Sequence, residues 1–305
     1  MQADLIILGG GPAGLTAGLY ASRARINVIL LEKGLPGGQL AATELVDNYP
    51  GQPEPILGFE LAQKMESQAR RFGLEIQTAD IVSISRTDAG FDLKNEEGTA
   101  YSCRALIVAT GANPIKPGIP GELQFAGRGV SYCAVCDGPF FRDVEVAVIG
   151  GGDSAVEEAV YLARFASKVH LVHRRDKLRA VKEIQEKAFA EPKMVIHWNS
   201  VPEEIIGEFD VKTLRIRSTL DGSISELQVG GVFFYVGIKP TNEAFNGLVN
   251  ADERGFVLTD ENMATSVPGV FAAGDVRVKV LRQISTAVGD GAIAAYSAQH
   301  YLESA

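Results

Sequence analysis

Asp4-Leu5-Ile6-Ile7-Leu8-Gly9-Gly10-Gly11-Pro12-Ala13-Gly14 carries an apolar run straight into a glycine-rich turn. Gly9, Gly11 and Gly14 are spaced as G-x-G-x-x-G, and the small and apolar residues from Leu15 to Arg25 predict a helix immediately afterwards. Val28–Leu31 is the next strand, and it closes on Glu32. Each part has a physical task. The glycines, with Pro12 and Ala13 among them, permit a tight turn and close backbone approach; the helix N-terminus receives a pyrophosphate; the strand-end carboxylate accepts from a ribose hydroxyl. Strand, turn, helix, strand and Glu32 together specify a dinucleotide-binding unit, which a lone G-x-G-x-x-G would not.

The unit occurs twice. Glu145–Ile149 is again a strand, and Gly150-Gly151-Gly152-Asp153-Ser154-Ala155 is again a turn, with Ala155 in place of the last glycine. Sliding the chain so that Gly9 falls on Gly150 also puts Gly11 on Gly152, Tyr20 on Tyr161, Val28 on Val169 and Glu32 on His173. The expected fold is therefore α/β, with two Rossmann-like dinucleotide-binding domains. One chemical difference separates the copies: where the first has Glu32, the second has His173-Arg174-Arg175, with Arg179 shortly after. A carboxylate there repels a 2′-phosphate, whereas guanidinium forks bind one through paired, charge-assisted donors. The second site, built from Gly150, Gly152, Asp153, Ser154, Ala155, His173, Arg174, Arg175 and Arg179, is expected to take NADPH over NADH; the bland alternative is a solvated basic loop.

Cys133-Ala134-Val135-Cys136-Asp137 lies just ahead of the second turn. A C-x-x-C pair is the commonest reversible dithiol, because its spacer brings both sulfurs together at a turn or helix start. Zinc is the rival reading, but it needs two further ligands, and Cys103, His170 and His173 supply neither a second C-x-x-C nor an H-x3-H pattern. Asp137 is open to two roles, an acid-base group beside the thiols or a helix cap. Cys103 approaches the apolar strand Leu106–Gly111 without a cysteine partner in sequence and is expected to be a packed core thiol.

The remaining segments are mostly architectural. Residues 59–72 predict an amphipathic helix presenting Phe59, Leu61, Ala62, Met65, Ala69 and Phe72 to the core. Short strands follow from Leu74 to Tyr101, with a hairpin at Glu97-Gly98, and again over 194–235, with a turn at Asp221-Gly222. Prolines and glycines mark residues 112–121 as a linker, and Lys239-Pro240-Thr241-Asn242 forms a second. Gly269–Asp275 is a strand ending in a carboxylate, and Arg282 opens a small-residue helix to about Ala298. His197, Trp198 and His300 stand in no motif.

Composition bounds the class. A length of 305 residues with 46% hydrophobic content is ordinary globular protein of two domains, and a net charge of -9 disfavours nonspecific binding of nucleic acid. Three cysteines are too few for a secreted disulfide scaffold of this size. The first strand leaves no room for a signal peptide and no apolar run approaches a membrane span, so a soluble, cytoplasmic protein is expected.

Taken in order, Gly9–Gly14, Gly37-Gly38-Gln39-Leu40, Ala109-Thr110-Gly111, Cys133-Ala134-Val135-Cys136-Asp137-Gly138, Gly150–Ala155, His173-Arg174-Arg175-Asp176 and Gly274-Asp275 with Arg282-Gln283 resemble the low-molecular-weight thioredoxin reductase family over essentially the whole chain. The resemblance implies a discontinuous FAD domain, 1–111 and 243–305, and an inserted NADPH domain, 112–242, carrying the dithiol. FAD would be held by Gly9, Gly11, Pro12, Ala13, Gly14, Glu32, Lys33, Gly37, Gly38, Gln39, Leu40, Asn48, Ala109, Thr110, Gly111, Gly274, Asp275, Arg282, Gln283 and Ile284. It implies a homodimeric flavoprotein that passes hydride from NADPH through FAD to the Cys133–Cys136 disulfide and then to thioredoxin or a thioredoxin-like protein, without metal or membrane. Cys136 would face the flavin, Cys133 would attack the protein substrate and Asp137 would supply the proton. Rotation of the inserted domain on segments 112–121 and 237–242 is expected, since nicotinamide and disulfide must both reach one flavin. Val135 departs from the threonine many relatives carry. The rival of the same architecture is a flavin disulfide reductase with another acceptor or donor: a glutaredoxin-like protein, a peroxidase partner, or ferredoxin as the electron source.

Overall fold

The computed structural model describes residues 1–43 and 45–304. Two compact units emerge, Met1–Asn113 with Lys239 onward, and Pro114–Ile238. Short strands at the two crossings, Ala112–Pro114 and Ile238–Pro240, pair as a ribbon.

In the first unit a parallel sheet runs in the order Glu75–Thr78, Val28–Glu32, Gln2–Leu8 and Ala100–Val108. Val270–Ala272 joins the end of Ala100–Val108 in parallel, and the hairpin strands Ile81–Thr87 and Gly90–Asn95 extend the sheet antiparallel from its start. Successive side chains of a strand point to opposite faces, and a strand covered on both sides reads as a continuous apolar run. Leu5 and Ile7 accordingly pack with the first helix, Pro12–Arg23, and the C-terminal helix, while Ile6 and Leu8 pack with Phe91, Leu93 and Phe245. Cys103 lies on that second face, 4% exposed, and burial pushes its thiol up to about 12.

The expected boundaries shift in three places. The first helix starts at Pro12, whose fixed φ suits a first turn and whose missing donor costs nothing there. The second helix, Gly58–Arg71, buries Leu61, Ala62 and Ala69 but leaves Phe59 and Phe72 outside; Phe72 is flanked by the Arg23 and Arg71 guanidinium groups at 5.4 and 5.0 Å instead of entering the core. The C-terminal helix spans Ile284–Ser304, beginning after Arg282 and running past Ala298 because no glycine or proline follows Ala298 within it and Tyr301 packs edge-on against Phe271. Its small residues serve close approach: a Cβ on Gly291 would sit 2.2 Å from the Ala13 carbonyl oxygen.

The second unit repeats the first in register. The shift that carries Leu5 to Val146 carries its sheet partner Val28 to Val169. Its five parallel strands run Val130–Ser131, Gly231–Phe234, Glu145–Ile149, Lys168–Val172 and Met194–His197, and an antiparallel meander, Ser200–Gly207, Val211–Ser218 and Ile224–Gln228, packs through Leu214 and Ile216 on Ala147, Ile149 and Phe234.

His197, which stands in no motif, joins His170 in a chain across three of these strands. His170 Nδ1 meets His197 Nε2 at 3.0 Å, His170 Nε2 meets Glu145 Oε2 at 2.9 Å, and Lys168 reaches the other Glu145 oxygen at 3.0 Å. Burial, and then the charge of His170, lower His197 to about 4. An unfolded histidine titrates near 6.5, so the stability supplied by neutral His197 is complete above that pH and is lost as pH falls towards 4. Discounted for its partial solvent contact, the loss is about 1–2 kcal/mol. The melting temperature should fall between pH 6.5 and 4, and His197→Gln should flatten that fall; an unchanged profile in calorimetry would place the acid sensitivity elsewhere.

Candidate functional site

Three constellations carry the chemistry, and each lies within one unit. In the first unit, Gly9 adopts φ +101°, and a Cβ there would stand 2.4 Å from the Ala109 carbonyl oxygen. Only glycine fits that crossing, which brings the turn against Ala109-Thr110-Gly111. Glu32 accepts the Gly10 amide at 2.6 Å and the Gly34 amide at 2.9 Å, and the Gly37 amide donates to the Gly10 carbonyl at 2.7 Å. The Gly37-Gly38 loop is thereby seated on the turn, while the position above Gly11 is open. A cavity of about 360 Å³ lies beyond, lined by Glu32, Lys33, Ala79, Thr110, Thr241 and Phe245 among others.

The far wall of this site comes from the chain's return. Asp290 on the C-terminal helix, 9% exposed, accepts the Gly274 amide at 3.0 Å and the Lys279 ammonium at 2.7 Å. Asp275 Oδ1 is buried with no donor among the described residues, and burial raises that carboxyl's pKa against the pull of Lys279 and Arg282. A buried acceptor without a donor costs about 1–3 kcal/mol, which a hydroxyl-bearing ligand would remove. With the open Gly11 turn and the cavity, these residues fit a dinucleotide with a hydroxylated chain beyond its pyrophosphate. Arg282 does something the sequence did not show: its guanidinium donates to the carbonyls of Asp275, Arg277 and Lys279 and lies 4.3 Å from the Phe256 ring, bracing the loop. Asn48 Nδ2 reaches Gln283 Oε1 at 3.1 Å, and Leu40 and Ile284 pack in one cluster.

Gln39 hydrogen-bonds Asn113, whose amide reaches the Thr241 hydroxyl at 3.0 Å, and the Thr110 hydroxyl donates to the Thr241 carbonyl at 2.5 Å. Asn113 and Thr241 belong to segments that composition marks only as linkers. A polar side chain in such a segment carries no periodicity that would single it out.

In the second unit the basic loop folds back on the second glycine turn. The Arg179 and Ala180 amides both donate to the Gly151 carbonyl, at 2.7 and 3.2 Å, and Asp153 Oδ1 accepts the Val181 amide at 2.8 Å. Arg174, Arg175 and Arg179 are exposed, with Arg179 Nη2 3.7 Å from where a Cβ on Gly152 would stand; Ser154 is exposed at the start of the helix Asp153–Leu162. His173 parts company with the arginines. It is 4% exposed, its ring fills the space a Gly151 Cβ would need, and its Nε2 lies 3.0 Å from the Lys177 carbonyl. Burial, and secondarily Arg179 and Arg175, lower its pKa, so it is a neutral strut under the loop and not a cationic fork.

The dithiol is present as the Cys133–Cys136 disulfide. It sits on the single-turn helix Ala134–Asp137, capped by Cys133, whose sulfur accepts the Cys136 amide at 3.2 Å. Asp137 is bonded by the Ser131 hydroxyl at 2.5 Å, and the Ser131 oxygen accepts the Cys133 amide at 3.1 Å. The Tyr235 hydroxyl accepts the Ala134 amide at 2.5 Å. Ser131, Tyr235 and Glu122 were not legible as site residues. Glu122, 1% exposed, accepts the Gly118 and Ile119 amides at 2.6 and 3.2 Å and the Tyr132 hydroxyl at 2.5 Å, tying the proline-rich segment to the residue before Cys133. Burial, then Glu122, raises the Tyr132 pKa. Glu122→Ala would leave these donors buried and unpaired, and we expect a loss of about 3 kcal/mol in urea unfolding. Glu122→Gln, which keeps an acceptor, should lose less; equal losses would show that the cavity, not the hydrogen bonds, sets the cost.

A profile of the family described as pyridine nucleotide-disulphide oxidoreductase matches residues 3–291. The chain belongs to that family. Among curated members it is 51% identical over 301 residues to the thioredoxin reductase of Listeria innocua, covering 98% of this chain and 94% of that protein. It is 50% identical to the thioredoxin reductase of Bacillus subtilis, covering 98% and 95%. The crystal structure of thioredoxin reductase from Streptococcus pyogenes superposes with a TM-score of 0.95 at 47% identity, covering 100% of this chain and 99% of that one. Both the two-turn α/β architecture and the cysteine pair are thus those of a disulphide oxidoreductase. Among the described residues, no helix is long and apolar enough to cross a membrane.

Proposed function

We propose that this enzyme is a thioredoxin-disulfide reductase that uses NADPH and FAD, working as a homodimer in the cytoplasm, where a reactive dithiol meets a reducing environment. The observation that carries the reading is the Cys133–Cys136 disulfide on a helix start inside a nucleotide-binding unit whose ribose-end position holds arginines instead of a carboxylate. FAD would lie along Gly9–Gly14, Glu32 and Asp275, and NADPH along Gly150–Ala155 with Arg174, Arg175 and Arg179. FAD, when bound, supplies a two-electron carrier between a hydride donor and a disulfide.

The chain's own residues account for the sulfur chemistry. Two electrons and one proton convert the disulfide to a thiol and a thiolate. The Cys136 amide, aimed at Cys133 Sγ, favours the charge on Cys133. That thiolate attacks one sulfur of the partner's disulfide, forms a mixed disulfide and expels the other sulfur, which takes a proton from the Asp137 region. Cys136 then attacks Cys133 Sγ, re-forming the internal bond and releasing the second partner sulfur as a thiol. Asp137, held by Ser131, sits one residue from Cys136 to move these protons.

The test is NADPH oxidation by the FAD-loaded protein with and without oxidised thioredoxin. Consumption should depend on thioredoxin and produce its dithiol. Oxidation at the same rate without a disulfide acceptor would sink the reading.

A further inference from the structure

The helix Asp153–Leu162 has a second task on its far end. Tyr161 and Leu162 close on Gly138, where a Cβ would lie 3.4 Å from Tyr161 Cε1 and 3.1 Å from Leu162 Cδ2. Glu158 stands one turn earlier on the same stripe, because positions three and four apart share a helix face. Its Oε2 is buried with no hydrogen-bond partner among the described residues. A carboxyl oxygen spent in this way, on the helix that packs against the dithiol helix, serves neither the nucleotide turn nor the core. Tyr235 links it to the sulfur pair: its hydroxyl takes the amide between the two cysteines, and its acidity is suppressed by burial first, then by Glu158, with Asp137 adding to the effect. Burial, with repulsion from Glu157, pushes Glu158 itself up to about 7.

We propose that Glu158 is a proton-storing residue coupled to the Cys133–Cys136 pair, taking up one proton when the disulfide opens and releasing it when the dithiol is spent. It acts on the sulfurs by charge and not by contact. Opening the disulfide consumes two electrons and one proton and leaves a new negative charge on sulfur. That charge raises the proton affinity of Glu158, so the second proton of the dithiol is held on the carboxyl. When the partner's disulfide is reduced, its two sulfurs receive one proton from the remaining thiol and one from Glu158 by way of solvent or Asp137. On the elements packed against it, Tyr235, which follows the strand Gly231–Phe234, feels the charge of both Glu158 and Asp137, and Asp137 and the two sulfurs belong to the dithiol helix that packs against the helix Asp153–Leu162. Glu157 is its neighbour on its own helix, and Lys187 on Lys182–Ala190, paired with Glu183, feels the charge of Glu157.

The proposal rests on the dithiol being the reacting pair, which thioredoxin-dependent turnover tests separately; the pH profile below tests Glu158 alone. The rate at which iodoacetamide alkylates the reduced protein should rise with pH over a broad range, because ionising Glu158 works against the thiolate. In Glu158→Gln the rise should be that of a single group. The two proteins should coincide at the acid end and diverge by about tenfold near pH 8, the size expected for charges a helix-packing distance apart (~8–10 Å). Glu158→Asp should restore the broad profile. Equal shapes, or a uniform displacement at every pH, would overturn the proposal. Reduction of the unchanged protein, labelled with carbon-13 glutamate, gives an independent reading. A protonated-carboxyl infrared band must appear with the dithiol, and its absence also overturns the proposal.

Discussion

Reduced Cys136→Ser protein is expected to form a stable covalent complex with oxidised thioredoxin, while Cys133→Ser protein forms none. Both should lose at least about 10⁴-fold in thioredoxin-dependent turnover, since each removes a sulfur that must form and break a bond in every cycle. The asymmetry comes from the geometry around the pair. Cys133 caps the helix Ala134–Asp137 and receives the Cys136 amide at 3.2 Å, a hydrogen bond that grows stronger as its sulfur becomes charged. With Cys136 replaced, that amide remains, the Cys133 thiolate still attacks, and nothing is left to resolve the mixed disulfide. With Cys133 replaced, Cys136 has lost both its partner and any claim to that donor. Non-reducing electrophoresis and intact mass distinguish the outcomes. A trapped complex with Cys133→Ser instead would reverse the assignment of attacking and resolving sulfurs.

The sequence exposed those parts of the molecule that backbone geometry dictates. Gly9 and Gly150 must be glycine because their φ values are +101° and +154° and a neighbouring carbonyl occupies the space of a side chain, so the two turns announce themselves wherever they occur. The strands Gln2–Leu8 and Glu145–Ile149 are equally plain, being apolar on both faces. The cysteine pair needs no structure to be seen. Illegible were residues whose role depends on what distant segments bring to them. Glu122 looks like any acidic residue after a proline-rich stretch until Gly118, Ile119 and Tyr132 close around it. Phe59 and Phe72 fit the stripe of an amphipathic helix, yet lie outside because the core contact ends with Leu61, Ala62 and Ala69. His173 stands beside two arginines in sequence, but just past the end of the strand Lys168–Val172 its ring packs inward against Gly151 and its Nε2 meets the Lys177 carbonyl, while they stay in solvent.

That separation of His173 from its neighbours makes the nucleotide preference a sharp test. Replacing Arg174 and Arg175 together with alanine should raise the KM for NADPH by about a hundredfold and leave that for NADH almost unchanged, because each lost charge-assisted contact to a 2′-phosphate is worth about 1.5 kcal/mol or more. The fold should survive: both side chains are exposed, and the loop is held by the Arg179 and Ala180 amides on Gly151, by Asp153 on Val181 and by the buried His173 ring. His173→Ala should behave differently. Removing the strut beneath the loop should weaken NADPH and NADH alike and lower the melting temperature, since the ring contributes position and no charge. Steady-state kinetics with both nucleotides separates the two patterns. If the double arginine variant kept its preference for NADPH, the phosphate would be read by Arg179 or by another group, and the contrast between Glu32 in the first copy and the basic loop in the second would lose its meaning.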